Sequence, residues 1–259
     1  DDILITFTTA PTVNAGTDIT TCKDIASIAL SGAVTIATGG AWTTSGSGTF
    51  NPNANTLTAS YIPSAADTAA GTITLTLTTT GNGLCNAYSD NVVITLTNIP
   101  TVNANIDQTI CADATGAFLA GSVTIATDGT WATSGTGIFS PDNSTLGATY
   151  IPSDTDTTAG TVTLTLTTTG NGLCNAYSDQ MIVTISPAPV ANANVDQTVC
   201  GDIASVPLNG SVITAAGGAW TTSGTGTFSP DNLTLNASYV PTTADTIAGS
   251  VTLTLTTTG

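Results

Sequence analysis

TLTLTTTGNGLCNAYSD fills Thr74 to Asp90 and returns letter for letter at Thr163 to Asp179; its first eight letters, TLTLTTTG, come back at Thr252 to Gly259. The opening of this stretch alternates apolar and Thr residues, which places Ile73, Leu75 and Leu77 on one face of a strand and threonines on the other. Val162, Leu164 and Leu166 are the second copy, and Val251, Leu253 and Leu255 the third. The interval is 89 residues, and Trp42, Trp131 and Trp220 keep it, as do Phe50, Phe139 and Phe228, and Tyr61, Tyr150 and Tyr239. A period of this length and regularity is the signature of an array of domains.

Outward from that strand, shorter strand signals lie at Ile28 to Leu30, Trp42 to Ser45, Thr49 to Phe50, Thr56 to Tyr61 and Val92 to Thr97, separated by Gly, Asn, Asp and Pro clusters. With the opening segment Val13 to Thr21 they make about seven strands per repeat, the number expected of an immunoglobulin-like sandwich. The fold class is therefore all-β, with tandem sandwich domains in an elongated rod. No helical period competes, although SAADTAA between Pro63 and Gly71 suits one helical turn capped by Asp67. Trp42, Trp131 and Trp220 fall where such a sandwich buries its aromatic anchor, a stronger reading than a sugar-stacking platform.

DDILITFTTAP at Asp1 to Pro11 aligns with DNVVITLTNIP at Asp90 to Pro100, so the chain opens inside a repeat, and it stops inside one at Gly259. The expected units are the last strand of a preceding repeat at 1–10, repeats at 11–99 and 100–188, and a third at 189–259 without its final strand. That pattern reads as an excerpt from a longer array with an open strand edge at each end. The linkers around Pro100 and at Pro187 and Pro189 are short and should hold neighbouring domains in a fairly fixed relation.

Composition narrows the function. The 259 residues contain no Glu, Arg or His; the 17 acidic residues are all Asp, and Lys23 is the single base, for a net charge of −16. Such a surface repels phosphate backbones and anionic lipid, which excludes nucleic acid and polybasic membrane attachment as partners. With 7% charged residues it is not a halophilic surface either, and no apolar run is long enough to insert in a membrane. Catalysis requires a tuned base, an assisted nucleophile or a metal, and a chain without His or Glu is not expected to be an enzyme. Calcium is the one cofactor worth weighing: Asp18, Asp107 and Asp196 recur, as do Asp24, Asp113 and Asp202. No Asp-x-Asp-x-Asp-Gly loop accompanies them, and solvated turn aspartates are the better reading. The Asn-x-Ser/Thr sequences at Asn143, Asn232 and Asn236 are chance in so Thr-rich a chain.

Cys22, Cys111 and Cys200 recur at the repeat interval, as do Cys85 and Cys174, which points to disulfides and an oxidising, extracellular compartment. Two pairings stand open. Within repeats, Cys22 joins Cys85 and Cys111 joins Cys174. Between neighbours, Cys22 joins Cys174, and Cys111 a cysteine following Gly259. The strand order leans toward the second, because Cys22 and Cys85 fall at opposite poles of a sandwich about 30 Å long, nine residues at ~3.3 Å each.

NAGTDITTC at Asn14 to Cys22, GGAWTTSGSGTF at Gly39 to Phe50, TLTASYIPSAAD at Thr56 to Asp67 and TLTLTTTGNGLC at Thr74 to Cys85 together resemble the tandem PKD-like or immunoglobulin-like repeats of giant Bacteroidetes surface adhesins, those of gliding motility included. The resemblance covers essentially the whole chain and concerns fold. It implies export, through the type IX system, display at the bacterial cell surface, and a stalk or adhesive role. It also implies candidate O-glycosylation at Thr68, Thr157 and Thr246, each preceded by Asp.

The leading expectation is thus a secreted repeat segment of an adhesin or fibre. Its alternative is a filament subunit polymerised by donor-strand exchange through residues 1–10. The partners expected are neighbouring repeats or copies of the same chain, end to end. A surface glycan or a host or substratum ligand is left unnamed by the letters.

Overall fold

A computed structural model describes all residues from Asp1 to Gly259. In the first repeat the elements run β1 (Thr12–Asn14), β2 (Ile19–Cys22), β3 (Ile28–Ala29), β4 (Ala33–Thr35), β5 (Gly39–Thr44), β6 (Thr49–Asn51), β7 (Ser60–Ile62), α1 (Ala65–Ala70), β8 (Thr72–Thr80) and β9 (Ser89–Thr97). One sheet has the order β2-β9-β8-β5, the facing one β3-β7-β6, and β1 pairs with β4 as a separate ribbon. The chain is all-β in tandem immunoglobulin-like sandwiches. The second repeat repeats it element for element: β10 (Thr101–Asn103), β11 (Gln108–Cys111), β12 (Ala117–Phe118), β13 (Ser122–Thr124), β14 (Asp128–Thr133), β15 (Ile138–Ser140), β16 (Thr149–Ile151), α2 (Asp154–Ala159), β17 (Thr161–Thr169) and β18 (Ser178–Ser186). The third has β19 (Val190–Asn192), β20 (Val206–Pro207), β21 (Ser211–Ile213), β22 (Gly217–Thr222), β23 (Thr227–Ser229), β24 (Ser238–Val240), α3 (Thr243–Ala248) and β25 (Leu253–Thr258).

The alternation in β8 works as its letters imply. Ile73, Leu75 and Leu77 are buried together with Val92, Ile94 and Leu96 of β9, while the intervening threonines stay at or near the surface. Trp42 lies in the same cluster, stacked on Phe50 with ring centroids 6.4 Å apart, and Phe50 in turn meets Tyr61 at 5.2 Å. The indole N–H of Trp42 donates to the carbonyl of Leu57 at 3.2 Å, so the ring has a polar partner inside the core. Gly32 makes room for it: a Cβ there would come within 2.7 Å of the indole. The same close approach recurs at Gly121 and Gly210.

Several local features depart from the sequence expectation. The opening segment Val13 to Thr21 is two strands and not one, because the chain crosses from the β1–β4 ribbon to the main sheet between Asn14 and Ile19. Of Thr56 to Tyr61 only the end is strand; Thr56 and Ala59 close a turn, with the Ala59 N–H donating to the Thr56 carbonyl at 3.1 Å. Residues 1–11 form no strand, since a ladder needs a neighbour and none lies beside them.

Asp67 does not cap the short helix in the way expected. Ser64 is the N-cap, and Asp67 stands three positions on, completing a capping box in which its Oδ2 accepts the Ser64 N–H at 3.0 Å. It is buried, and reaches further: Oδ1 accepts the Ser47 N–H at 2.9 Å, and Oδ2 accepts the Tyr61 hydroxyl at 2.7 Å. The phenolic oxygen itself accepts the Gly48 N–H at 3.1 Å. One carboxylate thereby ties α1, the β5–β6 turn and β7 together. Asp156 with Tyr150, and Asp245 with Tyr239, repeat the arrangement. Burial alone would push these carboxyls up; at Asp67 and Asp156 the donors outweigh it and hold the group down at about 2. At Asp245 the N–H groups of Thr242 and Thr225 lead in lowering it.

The pH dependence follows. A carboxyl whose folded pKa lies below its unfolded value, about 3.9, adds stability that is fully present above that value and lost as pH falls through about 2. The melting temperature should therefore hold from neutral pH to about pH 4 and drop steeply between about pH 4 and 2. Tyr150→Phe, which strips Asp156 and Gly137 of a partner, should destabilise the second repeat by about 1–3 kcal/mol. Denaturant unfolding of the variant checks it; a change within error of zero would mean the network is not structural.

Candidate functional site

With no cationic cluster, His or exposed aromatic pocket to consider, the place where the chain concentrates unusual chemistry is the joint between repeats. It is built by strand direction. β2 runs parallel to β9, with Cys22 opposite Thr97, so Cys22 stands at the pole where the chain leaves the first repeat. β17 and β18 are antiparallel neighbours, and the loop joining them carries Cys174 back over that same pole. Cys22 and Cys174 are joined by a disulfide, with Cα atoms 5.0 Å apart and a separation of 152 positions along the chain. Of the two pairings left open by the letters, the structure contains the one between neighbours; Cys85, at the far end of β9 from Cys22, is free.

Polar contacts surround the bond. Asp24 Oδ2 accepts the backbone N–H of Asn175 at 3.0 Å and its side-chain amide at 2.9 Å. The Sγ of Cys174 lies 3.3 Å from the Asn98 carbonyl. Lys23, the single base, donates from Nζ to Asn98 Oδ1 at 2.7 Å. The linker is thus held from both sides. Cys22, Asp24 and Cys174 bring ligand atoms within 4.8 Å of one another. Both sulfurs are bonded to each other, however, and the carboxylate oxygen is engaged by Asn175, so this is not the donor set of a metal centre.

The free cysteines stand at the equivalent positions of other joints. Cys85 lies over the segment before the first repeat, its Sγ 3.5 Å from Thr8 Oγ1 and 3.7 Å from the Thr9 carbonyl, the positions that Thr97 and Asn98 hold beside Cys174. Cys111 closes β11 opposite Ser186, as Cys22 closes β2 opposite Thr97. Cys200 is exposed.

The other residues singled out by sequence have structural surroundings. Trp42, Trp131 and Trp220 are buried, which leaves no indole face for stacking on a sugar. Asp18 and Asp107 each accept a backbone N–H from the last strand of their repeat, Val93 at 2.9 Å and Ile182 at 2.8 Å, which pins that strand to the loop before β2 or β11. Thr68, Thr157 and Thr246 sit on the short helices, with hydroxyls donating to the carbonyls of Ser64, Ser153 and Thr243. The Asp24–Asn175 contact was not foreseen, although the recurrence of Asp24 with Asp113 and of Asn175 with Asn86 carried its signal. No helix is long and apolar enough to cross a membrane.

No protein-family model matches the chain, and no curated protein does. Among solved structures it is similar to an I-band fragment of titin, at 12% identity over 92% of this chain and 91% of that one, with a TM-score of 0.47. A mouse cadherin-23 fragment gives 12% identity, 90% and 89% coverage and a TM-score of 0.41. The likeness is one of fold.

Peptide mapping without reduction should recover the segment bearing Cys22 linked to that bearing Cys174. Reduction should loosen the joint without unfolding either sandwich, since each cluster of buried side chains lies within its own repeat. Small-angle scattering with and without reductant reads this as a broader distribution of the angle between repeats, at unchanged circular dichroism.

Proposed function

We propose that this chain is a load-bearing segment of a secreted bacterial surface stalk, the shaft of an adhesin or extracellular fibre, with the type IX route and a Bacteroidetes origin suggested by the repeat motifs. The observation that carries the reading is the covalent joint. A disulfide between neighbouring repeats adds little to the folding of either sandwich, yet it matters greatly when the ends of the chain are pulled.

Tension entering at the first residues passes from Cys22 directly to Cys174, and the loop of chain between them, a separation of 152 positions, is bypassed. A repeat that opens under load in that interval releases no length. The distribution of cores supports the same reading, because each repeat carries its own buried cluster and adjoins only its neighbours, as expected of a one-dimensional array. The near absence of Lys and Arg leaves few sites for trypsin-like proteases, which suits life outside the cell.

Pulling the chain from its two ends tests this. Fully extended, the oxidised chain should be shorter than the reduced one by about 500 Å, the length of 152 residues at ~3.5 Å each. Equal contour lengths would remove the load-bearing argument. An antibody to the chain should label intact cells of the source organism; labelling that requires permeabilisation would contradict surface display.

A further inference from the structure

Beside the Cys22–Cys174 bond stands a third group with ligand chemistry that the covalent joint does not use. Cys22 and Asp24 are delivered together by one tight turn, in which the Ile25 N–H donates to the Cys22 carbonyl at 3.2 Å. Cys174 closes a second turn, its N–H donating to the Asn171 carbonyl at 3.1 Å. The two turns meet where the first repeat leads into the second, and they bring one ligand atom from each of Cys22, Asp24 and Cys174 within 4.8 Å of one another. The first turn is part of the repeat. Cys-x-Asp returns at Cys111 and Cys200, with the N–H groups of Ala114 and Ile203 donating to the two cysteine carbonyls at 3.0 and 3.2 Å.

Asp24 is oriented without being saturated. Its Oδ2 accepts the Asn175 N–H at 3.0 Å and the Asn175 side-chain amide at 2.9 Å, whereas Oδ1 accepts no hydrogen bond. No base neutralises it, because Lys23, the single one in the chain, turns its Nζ to Asn98 Oδ1 at 2.7 Å. A carboxylate held through one oxygen, with the other left open, is how ligating carboxylates are commonly presented. While the sulfurs are bonded to each other they hold nothing else. Opening the bond frees two sulfur donors, and two thiolates with a carboxylate form a soft, anionic set that suits zinc and not calcium or magnesium.

We propose that the reduced joint is a zinc site, with Cys22 Sγ, Cys174 Sγ and Asp24 as ligands and water in the fourth position. Tetrahedral zinc at ~2.3 Å from each sulfur sets the sulfurs about 3.8 Å apart, against ~2.0 Å in a disulfide. Side-chain rotation supplies that difference from Cα atoms 5.0 Å apart. A dithiol reductant opens the bond at Cys174, which is half-buried, since Cys22 is 1% exposed. One thiolate of the reductant attacks Cys174 Sγ and Cys22 leaves as a thiolate; the second thiolate then displaces Cys174. The protein disulfide thereby gains two electrons and the reductant becomes a cyclic disulfide. Zinc binding involves no further redox change, because Zn²⁺ replaces the protons of the two thiols. The joint then has two closed forms, sulfur to sulfur under oxidising conditions and sulfur to zinc under reducing ones, and both tie together the same two repeats.

The test uses the 259-residue chain with Cys85→Ser, Cys111→Ser and Cys200→Ser, which leaves Cys22 and Cys174 as its thiols. The chain is reduced with a water-soluble phosphine under argon, then titrated with Zn²⁺ against a chromophoric chelator and with Cd²⁺ as an ultraviolet probe of thiolate coordination. The expected result is one Zn²⁺ per reduced chain and a cadmium–thiolate charge-transfer band, with neither in the oxidised chain. Asp24→Asn should weaken zinc binding by at least about tenfold, the loss that even an outer partner of a ligand produces. Its band at saturating Cd²⁺ should keep full intensity, which shows that the two thiols still meet. Cys174→Ser should abolish the band. In small-angle scattering, zinc should return the reduced chain to the narrower range of angles of the oxidised one. A reduced chain that takes up no zinc, equal uptake by the oxidised chain, or uptake unaltered by Cys174→Ser overturns the proposal. So does an affinity unaltered by Asp24→Asn, or a band lost with it, since either removes the carboxylate from the site. Metal uptake is read without reference to load or location, so its failure leaves the stalk reading to the pulling experiment.

Discussion

The last strand of each repeat is the element on which the rest depends. β9 bonds to β2 in parallel and to β8 in antiparallel register, so it is an interior strand of the main sheet although it comes last in the chain. An interior strand supplies hydrogen bonds on two sides and a row of apolar side chains to the core, and here that row is Val92, Ile94 and Leu96. The third repeat shows the consequence of lacking it. Val251 and Leu253, whose counterparts Ile73, Leu75, Val162 and Leu164 are buried, are left partly exposed, and the strand equivalent to β2 does not form.

Because that strand also leads straight into the next repeat, the same pairing sets the joint. The parallel register carries Cys22 to the exit pole, and the loop preceding the last strand of the following repeat returns to meet it. Topology, and not a dedicated linker, creates the covalent contact. In the loop-entropy picture a closure this long stabilises by about 5 kcal/mol, but the figure refers to a chain in which both repeats are unfolded. For folded repeats the bond acts on geometry. It removes the freedom of one sandwich to swing about the three residues Asn98, Ile99 and Pro100, and Asp24 on Asn175 resists rotation about the bond itself.

The repeat, the buried face of β8 and its copies, and the anchor role of Trp42 are legible in the letters because each rests on a short period or an exact recurrence. β4 is not. Ala33 to Thr35 is three residues paired only with β1, and no alternation can register in so short a run. The role of Asp67 was half legible: the turn chemistry of SAADTAA marks a helix start, but nothing local says that the carboxylate also meets Tyr61 and the turn at Ser47. The joint was legible as a spacing of cysteines, and undetermined as a pairing until the parallel registration of β2 with β9 was in hand, since an antiparallel β2 would have carried Cys22 to the other pole.

A chain with one base cannot neutralise its carboxylates with ion pairs, and the structure answers with neutral donors. Asp18, Asp90, Asp107 and Asp179 each accept a backbone N–H that fastens one segment of the sandwich to another. Asp67, Asp156 and Asp245 are buried among N–H and hydroxyl groups, and Asp142 and Asp231 close turns on Thr145 and Thr234. Bonds of this kind are short-ranged and charge-assisted, stronger than neutral ones and much less open to screening by salt than surface ion pairs. The lack of cations thus has a structural counterpart: the chain is fastened by backbone donors inside each repeat and by sulfur between repeats, and both are less sensitive to ionic strength than surface ion pairs would be.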